Sequence, residues 1–414
     1  MPMRLVLVSQ EYPPETARGG IGTQTYAKAH GLARLGHQVV VISHAPDEQR
    51  REYDDGPVKV IRVSGYDRRV PAHTLEAWWL RHSLGVAEAL AALQNRAPID
   101  LVDFPEYGAE GFMWLLNRGE DHRIPAVIQL HGPLAMLADT VGWPEPGSEL
   151  YRVGTFMEGT CLRLADGIFS SSPCSADWCA RAYGIPREAI AVMHTGIDVE
   201  RFSPQPVAKA PRPTVVFVGR LAQSKGVLAL VEATSRLAPR FPGLQLRLIG
   251  RGDAQVLAEI RARAAAAGSP DPIDLVGFVD HADLPEHLSR AHVFAAPSLY
   301  EGGPGFVYLE AMACGLPVIA CSGSGAAEAV THEQTGLLVP PGDREALVAA
   351  LDRLLRDDAA REAMGARARR FAVETADSRQ CLRRIEAFYL ATLGARDAAS
   401  KAKAPPVRPI AEVT

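Results

Sequence analysis

Between residues 194 and 213 the chain carries Pro204, Pro206, Pro211 and Pro213 and little periodic apolar pattern. Proline lacks the amide donor and fixes φ, so this stretch neither continues a helix nor joins a sheet. On each side of it the same alternation runs. Short apolar runs of strand length are separated by amphipathic stretches with helical spacing, which implies βαβ units on a parallel sheet. The chain is therefore predicted to form two α/β domains of the doubly wound, Rossmann-like type, over residues 1–195 and 214–375. Residues 196–213 form the hinge, 376–394 a closing helix and 395–414 a disordered tail.

The first half offers strands at Leu5–Val8, Val39–Ile42, Val58–Val63, Ile99–Val102, Ala126–Leu130, Gly167–Ser170 and Ile190–Met193. Helices are predicted over Gly20–Leu35, His73–Gln94 and Cys174–Tyr183. Glu52–Gly56, Asp67–His73 and Leu134–Glu149 read as loops on the acceptor side. The second half restarts with strands at Val215–Val218, Leu244–Ile249, Ile273–Val276, Val293–Ala296 and Leu337–Val339. Its helices are Gly226–Leu237, Gln255–Ala266, Arg344–Leu355, Ala359–Phe371 and Ser378–Leu393.

Bulk properties exclude several classes. A net charge of −4, from 44 basic and 48 acidic residues, argues against a nucleic-acid binder. No apolar run approaches the roughly 18 to 20 residues that span a bilayer, so membrane contact is expected to be at most peripheral. The apolar N-terminal run is only strand-sized and has no convincing cleavage site, which places the protein in the cytoplasm, the inner face of the membrane included. None of the six cysteines forms a C-x2-C pair and no histidine cluster completes a zinc site, so buried free thiols in a reducing compartment are expected, without a metal.

The richest chemistry lies in Pro297–Ala320, read as loop, helix, stop and strand. Gly302, Gly303 and Gly305 free the backbone just before a helix, where unpaired amides favour anions. Glu310 sits among apolar neighbours, where a charge needs a partner: a hydroxyl-rich ligand or a structural arginine. Arg220 ends the strand Thr214–Gly219 and Lys225 precedes the next helix. A planar fork of donors beside a mobile point charge suits a diphosphate, although either alone reads as a surface charge. Gly20 and Gly22 open the first helix; their spacing is not that of a dinucleotide fingerprint, and the choice lies between a plain tight turn and an anion or sugar contact. His131 ends a strand as either a structural residue or a sugar contact and proton shuttle, and Asp103 and Glu106 end another on the acceptor side. Gly250 and the Gly277-Phe278-Val279 turn border a nucleotide or are simple turns. Trp78 and Trp79, with Arg81 and His82, read as core packing or as a membrane-surface face.

Taken in order, these residues resemble the retaining GT-B glycosyltransferases of family 4 (glycosyl transferases group 1). The resemblance runs from Met3 to about Leu393 and is strongest over Thr214–Pro341. It is carried by Arg18-Gly19-Gly20-Ile21-Gly22 with Gly36-His37-Gln38-Val39, His131-Gly132, Gly196-Ile197-Asp198 with Phe202, Gly219-Arg220-Leu221 with Lys225-Gly226, and Pro297-Ser298 through Glu301 to Glu310 and Gly315-Leu316-Pro317-Val318. It departs from the family where eight residues separate Glu301 from Glu310, one more than usual, where Thr195 replaces the usual hinge asparagine, and at Gly250-Arg251-Gly252-Asp253.

The resemblance implies two Rossmann-like domains with a cleft between them, a nucleotide-sugar held by the second and an acceptor by the first. Arg220 and Lys225 would neutralise the leaving diphosphate. Glu310 would hold the ribose; Glu301 and the amides around Gly305, Phe306 and Val307 would hold the sugar and phosphates. Gly20 would approach the diphosphate from the other domain and His131 would touch the transferred sugar. The implied activity is a retaining hexosyl transfer to a saccharide, lipid-linked or small-molecule hydroxyl in glycan, glycolipid or glycoconjugate biosynthesis, with no cofactor or metal. A sugar-nucleotide 2-epimerase and a catalytically inactive carbohydrate-binding protein are the alternatives on the same architecture; a nicotinamide-dependent enzyme is more remote.

Overall fold

The computed structural model describes residues 2–16, 20–64, 72–119, 123–266, 273–323 and 325–403. The first lobe contains β1 (Arg4–Val8), α1 (Gly20–Arg34), β2 (Gln38–His44), β3 (Arg51–Asp55), β4 (Val58–Val63), α2 (Leu75–Arg96), β5 (Leu101–Pro105), α3 (Phe112–Leu116) and β6 (Ala126–Leu130). It continues with α4 (Leu134–Val141), α5 (Glu149–Leu164), β7 (Gly167–Ser170), α6 (Pro173–Tyr183) and β8 (Ile190–Val192). Its strands form an eight-stranded sheet in the order β3-β4-β2-β1-β5-β6-β7-β8. All described pairings are parallel except β3 with β4. Strands such as β1, β5 and β6 are apolar almost throughout because both faces are covered by helices.

The second lobe contains β9 (Thr214–Val218), α7 (Val227–Leu237), β10 (Gln245–Ile249), α8 (Ala254–Ala266), β11 (Ile273–Gly277), α9 (Leu284–Arg290), β12 (Val293–Ala295) and α10 (Phe306–Ala313). It ends with β13 (Val318–Cys321), α11 (Ala326–Ala329), β14 (Gly336–Val339), α12 (Arg344–Arg356) and α13 (Asp358–Ala376). Its six strands run in the order β11-β10-β9-β12-β13-β14. In each sheet the winding direction reverses beside the first strand: between β1 and β5, and between β9 and β12. Such reversals splay the following loops apart at the carboxyl ends and open a crevice there.

The last helix, α14 (Ser378–Lys403), returns to the first lobe. Leu382, Ile385 and Tyr389 are buried in the same cluster as Leu5, Leu7, Val39, Val41 and Phe169. The two crossings between lobes lie side by side. The Ile197 amide donates to Ala376 O at 2.7 Å and the Ser378 amide to Ile197 O at 2.9 Å. Gly196 sits here at φ 69°, and a Cβ would fall 2.6 Å from Ala376 O, so this clasp admits no side chain.

Several expectations are corrected. The helix expected to stop at Leu393 reaches Lys403, so the first residues of the expected tail are helical; residues 404–414 lie outside the described residues. The expected acceptor loop Glu52–Gly56 is mostly β3, an edge strand whose alternating exposure hid it among charges. The expected loop Leu134–Glu149 begins with α4 and ends at the start of α5. Of the third, Asp67–His73, residues 67–71 lie outside the described residues, as do Arg18 and Gly19.

Candidate active site

The second lobe supplies one wall from the loops after β9 and β12. Arg220 follows β9, is exposed, and has no ion pair or hydrogen bond among the described residues. Lys225 lies in a short turn that ends at Gly226. Gly226 adopts φ 74° and approaches the Pro297 carbonyl so closely that a Cβ would lie 2.1 Å from it. This contact ties the Lys225 turn to the loop after β12. The Lys225 ammonium accordingly stands 2.7 Å from Glu301 Oε1 and 3.4 Å from Tyr300 O. The extra residue between Glu301 and Glu310 therefore does not carry Glu301 away from the cation.

Gly305, at φ 62°, turns the chain into α10, whose first residues Phe306 and Val307 are half-buried. One turn further, Glu310 is buried and bonds His281, with His281 Nε2 at 2.7 Å. The partner of this carboxylate is thus a half-exposed histidine on a turn that the sequence reading left unassigned. At the end of β11, Gly277 is open, and Phe278 after it is 60% exposed with the Arg251 guanidinium 4.6 Å above its ring. Gly250 serves packing: a Cβ there would lie 1.8 Å from Gly219 O.

The first lobe supplies the opposite wall. His131 leaves β6 with its Nδ1 sealed from solvent and without a hydrogen-bond partner among the described residues. Burial, reinforced by the Lys28 charge, lowers its pKa to about 3, so the ring is neutral at physiological pH. Gly20 opens α1 with free space around it, whereas the Gly22 amide already donates to Glu11 Oε2 at 3.3 Å. Of this pair, Gly20 alone keeps open space in which a ligand would approach.

Asp103 and Glu106 do not present themselves to an acceptor. Asp103 is buried, 2.8 Å from Lys28 Nζ, and accepts the Tyr389 hydroxyl from α14. Buried Lys28 also donates to Gln129 Oε1 at 2.6 Å, so the pair is compensated internally, as a buried ion pair must be. Glu106 has no solvent exposure. Its carboxylate accepts the His131 amide at 2.7 and 2.8 Å and the Gly132 amide at 2.5 Å. The strand expected at Ile99–Val102 runs from Leu101 to Pro105, so Glu106 follows its end as expected, whereas Asp103 lies within it. The sequence could not show that both point inward, because their partners lie far along the chain.

The two walls meet. A Cβ on Gly132 would lie 2.5 Å from the Tyr300 hydroxyl, and one on Gly302 would lie 2.3 Å from His131 O. The Tyr300 hydroxyl is buried and unpartnered among the described residues. Ser175 Oγ donates to Gly302 O, and Glu328 of α11 accepts Ser172 Oγ at 3.0 Å and the Cys174 amide at 2.9 Å. Sequence reasoning missed Tyr300 and Glu328, although Tyr300 adjoins Glu301 within the motif. The crevice thus joins a lysine–glutamate pair, a helix start and a neutral histidine, with an unpaired arginine among the described residues exposed after β9. This set suits an anionic group attached to a hydroxyl-rich one.

The trace and the sequence have close counterparts. Residues 198–371 match the model of glycosyl transferases group 1, and residues 18–201 match that of Glycosyltransferase Family 4. A GDP-mannose-dependent alpha-(1-6)-phosphatidylinositol monomannoside mannosyltransferase of Mycolicibacterium smegmatis is 32% identical over 393 residues, covering 89% of this chain and 94% of that protein. A glycogen synthase of Mycobacterium tuberculosis is 30% identical over 387 residues, covering 89% and 90%. The solved sucrose-phosphate synthase of Thermosynechococcus elongatus superposes with a TM-score of 0.78 at 24% identity, covering 95% of this chain and all of that one.

Proposed function

Since this chain belongs to the group 1 glycosyltransferases of the GT-B fold, we propose that it moves a hexosyl group, with retention at the anomeric carbon, from a nucleoside diphosphate to an acceptor hydroxyl. The observation that carries this reading is the Lys225–Glu301 pair, in a loop that leads to the start of α10 and packs against His131 and Gly132, with Arg220 exposed just after β9. As the bond from C1 to the diphosphate oxygen breaks, negative charge grows on that oxygen. Arg220 and Lys225 stabilise it more than they stabilise the intact donor, which is the condition for catalysis.

The acceptor oxygen forms the new bond to C1 on the same face, and its proton passes to the departing phosphate oxygen. Atoms and charges balance without a protein base, and neutral His131 donates or accepts a hydrogen bond at a sugar hydroxyl. Glu301 holds Lys225 with one oxygen and retains lone pairs for a sugar hydroxyl; Glu310 does the same for the ribose beside His281. Gly277 and Phe278 form the rim for the base. No helix among the described residues is long and apolar enough to cross a membrane. A lipid-linked acceptor, as in the mannosyltransferase relative, would therefore be met at the membrane surface.

A panel of UDP-, GDP-, ADP- and dTDP-sugars, with GDP-mannose included, tests the donor through slow hydrolysis. Lys225→Ala is expected to lower kcat on the preferred donor by about 10² to 10³, as for loss of a group aimed at developing charge. If no donor is hydrolysed, or the Ala variant turns over as fast as the unmodified chain, the reading fails.

A further inference from the structure

We propose that Glu106 is a positioning residue: its carboxylate locks the backbone of the His131-Gly132 turn, the seat against which the donor loop 300–302 closes. The inference rests on the transferase reading above for its activity readout, but the geometry stands by itself. Three amide-to-carboxylate contacts, at 2.7, 2.8 and 2.5 Å, fix two successive peptide planes. On the far side of those planes the tolerances are tight. The Gly132 Cα faces the Tyr300 hydroxyl and the His131 carbonyl faces Gly302. Tyr300 and Gly302 bracket Glu301, which holds Lys225. A tilt of the turn is therefore transmitted through one layer of contacts to the cation on the leaving group, and displacements near 1 Å are costly there.

A second buried carboxylate completes the clamp. Glu158 of α5 accepts the Leu134 amide at 3.0 Å and the Tyr183 hydroxyl, so the turn is gripped at both ends from inside the first lobe. Glu106 accepts at both oxygens, which an ionised carboxylate does without donating, whereas Glu158 accepts at Oε2 alone and its Oε1 has no partner among the described residues.

The lock is sensitive to protonation. Burial raises the Glu106 pKa to about 7, against the lowering effect of the Gly132 and His131 amides. The groups facing it are Tyr107 beside it, Glu158 from α5, Cys179 and Tyr183 from α6, His131 after β6 and Tyr300 from the second lobe. His131 is neutral, and the thiol and the tyrosine hydroxyls are all pushed upward, so none of these changes charge near neutrality. Glu158 is itself raised well above the usual carboxylate range by burial and by the Glu106 charge, so the two carboxyls titrate as a pair. Protonated Glu106 would turn one oxygen into a donor toward an amide that is itself a donor. Activity is thus lost as pH falls through about 7.

The test compares Glu106→Gln and Glu106→Asp with the unmodified full chain. The readouts are kcat and KM from pH 5.5 to 9 on the donor that the panel selects, and hydrogen exchange of the His131 and Gly132 amides. The Gln variant keeps the size but presents a donor where an acceptor is needed. It is expected to lose roughly tenfold to a hundredfold in kcat, with donor KM within about threefold, and to lose the acid limb of the profile. Amide protection at 131–132 should fall by about tenfold or more, and Asp, which keeps the charge, should recover part of both. A Gln variant with kcat within about threefold of the unmodified chain and an intact acid limb overturns the proposal. So does a loss of activity that merely follows the folded fraction, with the profile unchanged. If no donor is turned over, the exchange measurement decides alone: protection retained in the Gln variant refutes the lock, and protection lost supports it.

Discussion

At the scale of single residues, the crevice is built from groups whose freedom has been removed by near neighbours. Gly132 illustrates this. Its hydrogen faces the Tyr300 hydroxyl with no room for a methyl group, since a Cβ would sit 2.5 Å away. Gly132→Ala is expected to hold the lobes apart and to lower kcat/KM by about tenfold or more, because small misplacements at a reacting centre are costly. Tyr300→Phe removes the obstructing oxygen and is expected to restore part of the loss in the double variant; steady-state kinetics of the two single variants and the double variant check it through the coupling term. Residues of this kind separate what the sequence shows from what it hides. Arg220 and Lys225 are legible because they stand after a strand and before a helix, and Glu301 and Glu310 because the glycine-rich loop and the apolar helix around them set them apart. Asp103, within β5, and Glu106, just after it, look like cleft-edge residues from the sequence, yet one is turned inward by Lys28 and Tyr389 and the other by two backbone amides. Those partners lie 25 to 286 residues away, beyond the reach of any local pattern.

Among elements, contacts between α11 and α6 join the lobes. Glu328 of α11 accepts Ser172 Oγ and the Cys174 amide at the start of α6, where a carboxylate also meets the positive end of the helix dipole. Its pKa is raised by burial, first of all, so the contact spends some ionisation energy to hold the lobes together. Glu328→Ala is expected to shift the population toward open forms. Donor KM should rise about tenfold while kcat at saturation stays within about threefold, as when a ligand must first supply the energy of closure. Small-angle scattering of the variant, with and without the nucleoside diphosphate, checks the same shift; an unchanged KM and an unchanged profile would sink the assignment. Elements also mark the limits of reading by pattern. The parallel strands announced themselves as apolar runs, but α3, α4 and α5 did not, since they lie in a stretch broken by glycines and prolines. Strand β3 was masked by the charges that protect an edge.

Over the whole molecule, buried ionisable groups act on stability in opposite directions. Burial lowers His131 to about 3 and His194 and His292 to about 4, so the unfolded chain takes up protons first and stability is lost as pH falls below about 6.5. Glu106 is raised to about 7 from 4.5, so the folded chain keeps its proton longer and stability is lost as pH rises through that window. Glu158 and Glu328 are also raised by burial and act in the same direction, and the Glu106 charge adds to the Glu158 shift, so removing the Glu106 carboxylate weakens the second slope without touching the first. The thermal midpoint of Glu106→Gln is therefore expected to fall more steeply than that of the unmodified chain between pH 7 and 4.5. Scanning fluorimetry at fixed ionic strength checks this, and parallel curves would contradict the sign. The overall plan of two lobes was legible from the proline-rich break and the repeated alternation. The return of α14 was not, because an amphipathic helix does not declare which surface it will cover.

That return has a consequence for the order of assembly. A ribosome delivers the first lobe early, but one of its two apolar layers lacks Leu382, Ile385 and Tyr389, and Lys28 and Asp103 lack the hydroxyl that caps them. The second lobe has all its strands as soon as β14 has emerged, with α12 and α13 close behind. The portion translated later is thus the earlier one to be whole, and the portion translated first waits, with an uncovered flank, for the helix that travels back across the seam to seal it.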